Sequence, residues 1–312
     1  MGWFGALKRV LTFLLLASAA GTAPPASAAN VAVLLSDGVD DYQEAVRGFK
    51  EAAHSPIAAE YNMRGDLDRG RKLLTEIEGK TKPDLIFAVG IWALQAIVSQ
   101  PTNIPVVYAM VLNPPSVIGA GARNITGASI NVPVEQSIRL MKQIGPQVKR
   151  IGVIYSRART GYLVRRAETV AREEGLQLVA KEIASAKEVV AALDALQDAI
   201  DVLWILPDEA TLAQAVVQQM LLFSYRKKVP VLGLSERHAQ MGALLSLSFA
   251  SSVDIGRQAG ELAHTILDGK AAAEVPYTSA RKLNITVNLK AAQKLGVEIP
   301  KTVLGKASTV IQ

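Results

Sequence analysis

The chain has 312 residues, half of them hydrophobic, 5% aromatic and 20% charged, with a formal net charge of +6 and no cysteine. The lack of cysteine excludes zinc–thiolate centres, cysteine nucleophiles and disulfides, so stability must come from a buried core, for which this length suffices as one large domain or two ordinary ones. The basic residues are scattered and not interleaved with aromatics, which argues against nucleic-acid binding.

At the amino terminus, Lys8 and Arg9 precede the apolar run Val10–Ala20, then Pro24 and Pro25, then the small residues of Ala26-Ser27-Ala28. This order predicts a cleavable secretory signal over residues 1–28. The apolar run is shorter than the roughly 20 residues that cross a bilayer, and no later stretch offers about 18 uninterrupted apolar residues. No cysteine follows the cleavage site, which argues against a lipoprotein anchor. Loss of Lys8 and Arg9 leaves a mature chain of +4, expected to be soluble and exported to a periplasm.

Short apolar runs then alternate with longer amphipathic ones. Strands are predicted at 31–35, 57–63, 84–90, 104–111 and 125–130, with helices over 42–53, 67–79 and 93–99 between them. Spacing of three to four residues, as in Ala45, Val46, Phe49 and Ala52, marks the buried helix faces. A second series follows, with strands at 150–155, 176–183, 202–206, 230–234, 244–249 and 283–287 and helices over 134–144, 163–174, 186–196, 212–225 and 254–267. Alternation of this kind predicts α/β architecture: two doubly wound, parallel-sheet lobes with helices on both faces, split near residues 130–150. The strand-like connection from Thr126 to Pro133 suggests a hinge of crossing strands.

In doubly wound sheets ligands bind beyond the carboxyl ends of the strands, so the loops after each strand hold the candidate site. The first series offers Ser36 and Tyr42 after its first strand, Trp92 after its third and Asn113 after its fourth. The second offers Ser156 and Thr160, then Asp208. Trp92, at a helix start, either stacks on a ligand or caps the sheet edge. Ser156 and Thr160 form an N-cap or turn, or hold a carboxylate. Arg157 and Arg159 pair with an anionic ligand or with solvent. Asp37, Asp40, Asp41 and Glu44 lack the spacing of a calcium loop and read as an acidic helix start. His54, His238 and His264 belong to no metal or catalytic pattern and read as surface helix residues. No nucleophile elbow, phosphate loop or dinucleotide fingerprint is present, so the sequence calls for no catalytic residue, cofactor or metal.

Several segments carry a family resemblance: Pro83-Asp-Leu-Ile-Phe-Ala-Val-Gly90, Ile104-Pro-Val-Val-Tyr108, Asn124-Ile-Thr-Gly127, Lys149-Arg-Ile-Gly-Val-Ile-Tyr155, Ile255-Gly-Arg-Gln-Ala-Gly260 and the closing run from Ile285 to Pro300. In this order they resemble ABC-transporter substrate-binding proteins of the type I periplasmic-binding fold, in the subgroup that includes tryptophan- and tyrosine-binding proteins. The resemblance implies a chain that crosses three times between lobes, with residues 29–130 and 250–281 in one and 131–249 and 282–312 in the other. It also implies a monomer that closes on one small molecule, amino-acid-like or aromatic, and delivers it to an ABC permease in the inner membrane. Asn113-Pro114 stands where relatives often have Asp-Pro, Ile91-Trp92 where they often have Thr-Pro, and Phe249 where they often have an aspartate. Pro207-Asp208-Glu209-Ala210 replaces a frequent Pro-Thr-Asp-Asn. The contacts usual for an α-amino and α-carboxyl pair are therefore not all present. A ligand sensor that presents its closed form to a membrane receptor, or an exported enzyme, would share the fold.

Overall fold

The computed structural model describes residues 29–119 and 122–312; the leader expected over residues 1–28 lies outside the described residues. The chain opens with β1 (Val31–Leu35), α1 (Asp40–Ala53), β2 (Ile57–Asn62), α2 (Leu67–Glu76, widening into a π-helical turn over Ile77–Thr81), β3 (Leu85–Val89), α3 (Ile91–Ser99), β4 (Val106–Val111), α4 (Pro115–Ile118) and β5 (Ile125–Ser129). These strands form one parallel sheet in the order β2-β1-β3-β4-β5. Every residue of β1, β3 and β4 is buried, as befits parallel strands covered on both faces. On one face Phe49 of α1 stacks on Phe87 of β3 with ring centroids 3.9 Å apart; on the other, Leu74, Leu94 and Ile97 of α2 and α3 cover Leu34, Ile86 and Tyr108.

The chain continues through α5 (Val134–Lys142), β6 (Arg150–Tyr155), α6 (Arg157–Glu173), β7 (Gln177–Glu182), α7 (Val189–Leu196), β8 (Val202–Trp204), α8 (Glu209–Leu212), α9 (Gln214–Lys227), β9 (Val231–Gly233), α10 (Glu236–Met241), β10 (Leu245–Phe249), α11 (Ser252–Leu267), β11 (Leu283–Asn288), α12 (Leu289–Leu295), α13 (Lys301–Leu304) and β12 (Thr309–Ile311). The second sheet runs β12-β11-β10-β9-β8-β6-β7. Both sheets are parallel-dominated, as expected, but the second is not wholly parallel: β11 is antiparallel to β10. The route of the chain explains this. After β10 it leaves for the first lobe, and it re-enters the second sheet at the end from which it left.

The excursion between β10 and β11 is α11, which packs on α1 almost backbone to backbone. A Cβ at Gly256 would fall 1.9 Å from the Ala45 carbonyl oxygen, and one at Gly48 would fall 1.9 Å from that of Val253. Only glycine permits this approach. The crossing segments are tied to one another: Ala250 N–H donates to Lys282 O at 2.9 Å, and Ala280 N–H to Asn131 O at 3.0 Å.

Three sequence expectations change. The second sheet has seven strands, because β12 extends it beyond β11. The helix expected from residue 163 begins at Arg157; its first turn buries Thr160 and Gly161, which give no apolar periodicity. Helices α4, α8, α10, α12 and α13 lie outside the expected helices; each is seven residues or shorter.

Candidate functional site

The loops and helix starts that follow β1, β3, β4, β6 and β8 hold the seven candidate residues. Two of them build an exposed edge on the first lobe. Gly90, after β3, has φ +87°, and a Cβ there would fall 2.6 Å from both the Tyr42 hydroxyl and Ser36 Oγ. Glycine is thus required by conformation and by space, and it lets the Tyr42 ring lie against the β3–α3 turn. Tyr42 is half-buried; burial, then Asp37 and Asp41, pushes its phenol up, so the ring is neutral at neutral pH. Trp92, in the first turn of α3, is 45% exposed. Ser36 is fully buried, and its Oγ accepts from Ala93 N–H at 2.9 Å. It satisfies one of the amides that the start of α3 leaves without an intrahelical acceptor.

On the second lobe, Ser156, Thr160 and Asp208 form one internal network. Asp208 Oδ2 accepts from Ser156 N–H at 2.8 Å and from Thr160 Oγ1 at 2.5 Å, and Oδ1 accepts from Ala210 N–H at 3.0 Å. Thr160 and Asp208 are fully buried. The carboxylate caps α8 and pins the first turn of α6 to the end of β8. Arg157 and Arg159 are solvent-exposed, as one of the two alternatives has them, and each also pairs with a carboxylate of its own lobe, Glu182 and Glu209 respectively.

Asn113 joins the lobes. It follows β4 with φ +53°, and its Nδ2 donates to the carbonyls of Arg159 and Pro207, both at 3.2 Å. Its Oδ1 accepts from the Tyr162 hydroxyl at 2.7 Å, and its backbone N–H donates to Asn131 Oδ1 at 2.8 Å. Tyr162 and Asn131, which sequence reasoning missed, are thus parts of the interlobe contact. Burial and the neighbouring Tyr277 push the Tyr162 phenol up. Beside this contact a groove of about 610 Å³ runs between the lobes, with Gln95, Ser99 and Ser116 on one side and Ala158, Arg159 and Glu209 on the other.

Asp254, at the start of α11, is buried and takes charge-assisted contacts from Arg281 at 3.2 Å and Lys282 at 3.0 Å. Burial opposes its ionisation, but the hydrogen bonds from Lys282 and Arg281 outweigh it and hold the carboxyl below its usual range. Because Arg281 and Lys282 belong to the third crossing segment, this ionic node fastens the hinge. Of the histidines, His238 is not a surface residue: it is half-buried under Gly233, and its Nδ1 accepts from Leu234 N–H at 3.2 Å.

Two α/β lobes that face each other across three linked crossings, with strand ends and helix starts lining the gap, define a solute-binding protein of the type I periplasmic-binding fold. The family model for ABC transporter substrate binding proteins matches residues 30–311, and the chain belongs to that family. A tyrosine-binding protein of Clostridioides difficile is 25% identical over 252 residues, covering 78% of this chain and 71% of the relative. Among solved structures, a ligand-free, open substrate-binding protein with adhesive properties from Clostridium difficile superposes with a TM-score of 0.68 at 23% identity, covering 91% of this chain and 99% of the other. An ABC domain from Streptococcus pneumonia in complex with L-Trp superposes with a TM-score of 0.62 at 22% identity, covering 91% and 100%. The two clostridial relatives are named as binding proteins. Among the described residues no helix is long and apolar enough to cross a membrane.

Proposed function

We propose that this protein is the periplasmic, monomeric solute receptor of an ABC importer, without catalytic activity, and that it carries one aromatic amino acid or a close analogue between its lobes to a permease in the inner membrane. The lobes comprise residues 29–130 with 250–281 and residues 131–249 with 282–312. The observation that carries this reading is the exposed indole of Trp92 beside the Tyr42–Gly90 turn, at the carboxyl edge of the first sheet. An aromatic ring left half in water at that edge offers a stacking face to a planar solute. The Ile91 and Trp92 amides, at the open start of α3, suit its carboxylate. Ser36, Thr160 and Asp208 stand behind the walls and hold them in place. Asn113 closes the lobes.

The test is mass spectrometry of small molecules released from purified, denatured protein, followed by a thermal-shift series with the common amino acids. An aromatic amino acid should be released and should raise the melting temperature; at a hundredfold excess over Kd the stabilisation is about 2.7 kcal/mol. If the aromatic amino acids produce no shift while a sugar or nucleoside does, the ligand assignment is wrong.

A further inference from the structure

Many cations on this surface are matched with carboxylates: Arg139 with Glu174, Arg150 with Asp201, Arg166 with Glu135 and Arg257 with Glu51. One end of the second lobe departs from this. Arg226, Lys227 and Lys228 close α9, and Lys290 and Lys294 lie one turn apart on α12. All are exposed, and none forms an ion pair among the described residues. Neither helix contains an aspartate or glutamate. The two groups form one surface: Lys228 Nζ donates to the Lys294 carbonyl at 2.5 Å, and Lys294 Nζ lies 5.9 Å from the centre of the Tyr225 ring. The first carboxylates that follow these helices in the chain are turned to other places. Glu236 opens α10 beyond the carboxyl end of β9, and Glu298 lines a groove with Gly145 and Pro146.

Helix ends explain only part of this charge. A helix C-terminus carries about half a negative charge, so α9 and α12 together offset about one of these cations and leave an excess of roughly four. A cluster of that size is the electrostatic footprint of an anionic lipid surface. The same face carries an apolar group. Leu222 stands one turn before Arg226 on α9, where side chains four apart are neighbours, and at 55% it is the most exposed large apolar side chain among the described residues. A leucine set among cations suits a bilayer interface, where the charges meet phosphate and the side chain enters the boundary between headgroups and acyl chains. Lys228 lies just ahead of β9, at the amino end of that strand. The loops that face the first lobe follow the carboxyl ends, so this surface is on the opposite edge of the sheet from the cleft.

We infer that this end of the second lobe docks on an anionic phospholipid bilayer: Arg226, Lys227, Lys228, Lys290 and Lys294 meet headgroup phosphates while Leu222 enters the interface. The contact is peripheral and reversible, because exposed charges are screened by salt. It adds to the solute-receptor reading a means of concentrating the protein at a membrane, and it stands whichever solute the cleft carries. Because the cleft lies at the other edge of the sheet, solute can enter and leave while the protein is docked.

The experiment is co-sedimentation of the purified mature protein with vesicles of phosphatidylglycerol mixed with phosphatidylcholine, and with vesicles of phosphatidylcholine alone. The protein should sediment with the anionic vesicles and not with the neutral ones, and about 0.5 M salt should release it. A variant carrying Arg226→Gln, Lys227→Gln and Lys290→Gln should bind the anionic vesicles about a hundredfold more weakly. A second variant of equal net charge, carrying Lys72→Gln, Lys187→Gln and Lys270→Gln at exposed positions on other elements, should bind as the native chain does. Equal losses in the two variants would assign the effect to net charge and overturn the docking surface, as would failure of the native protein to bind anionic vesicles at low salt. Leu222→Gln should weaken vesicle binding about fivefold and leave binding of a polyglutamate peptide unchanged. If the native protein bound polyglutamate more tightly than the anionic vesicles, and Leu222→Gln matched it on both, the surface would belong to an acidic protein and the bilayer would be the wrong occupant.

Discussion

The Asn113 side-chain amide donates to the backbone carbonyl of Pro207, 94 residues further along the chain, at 3.2 Å. With the parallel bond to Arg159 O and the bond accepted from Tyr162, one buried asparagine spends both its donor and its acceptor on the opposite lobe. Its polar groups thereby hold the two walls together.

An Asn113→Asp variant tests this role. A carboxylate accepts but does not donate, so both carbonyls would lose their partner and face a negative charge. Each bond of this kind contributes on the order of 1 kcal/mol, so the balance between closed and open forms should move by about tenfold or more towards open. Small-angle scattering of unliganded protein should give a larger radius of gyration for Asn113→Asp than for the native chain. Identical curves would count against Asn113 as the closing contact.

Trp92 and Asp208 should separate cleanly by phenotype. Trp92→Ala removes a half-exposed ring, so stability should barely change while solute affinity falls by about fivefold, corresponding to a lost stacking contact of ~1 kcal/mol. Asp208→Asn disturbs three hydrogen bonds inside the second lobe and should cost about 2 kcal/mol in urea denaturation, with the residual folded protein still binding. The reverse pattern, affinity lost at Asp208 and stability lost at Trp92, would exchange their roles.

The Asp254 node predicts acid sensitivity with a definite sign. Its carboxyl is held down in the folded protein and returns to about 3.9 on unfolding. Its contribution is therefore complete above that value and drains away as pH falls through the folded value. Arg281 and Lys282 are partly exposed, so solvent screening limits the effect to ~1–2 kcal/mol. Asp254→Asn should be less stable than the native protein at pH 7, and the gap should shrink below about pH 4. A gap that stayed constant down to pH 3 would show that the charge of Asp254 is not the source.

Much of the fold was legible because parallel strands buried on both faces leave continuous apolar runs, as in 85–89 and 106–111. What was not legible lacked a local signal. β12 is three residues long with Val310 exposed, and its place at the sheet edge comes from pairing with β11. The α6 start was hidden because its first turn is held by Asp208, 48 to 52 residues away. At the site, position after a strand singled out Trp92, which is exposed, and Tyr42, which is half-buried. The same rule could not distinguish a residue that faces the cleft from one, such as Ser36 or Asp208, that turns inward to hold a helix. That distinction depends on long-range hydrogen bonds, and so do the parts played by Asn131 and Tyr162.

The close seating of α11 on α1 also bears on the order in which the molecule becomes foldable. Chains are made from the amino terminus, and domains ordinarily fold as they emerge. Here the first lobe lacks one of its covering helices until residue 267 has appeared, and the second sheet lacks β11 and β12 until the chain is all but finished. Neither half can complete its core early. Both cores therefore depend on segments made late, so truncations that remove α11 or the closing β11–β12 segment leave a lobe without part of its cover.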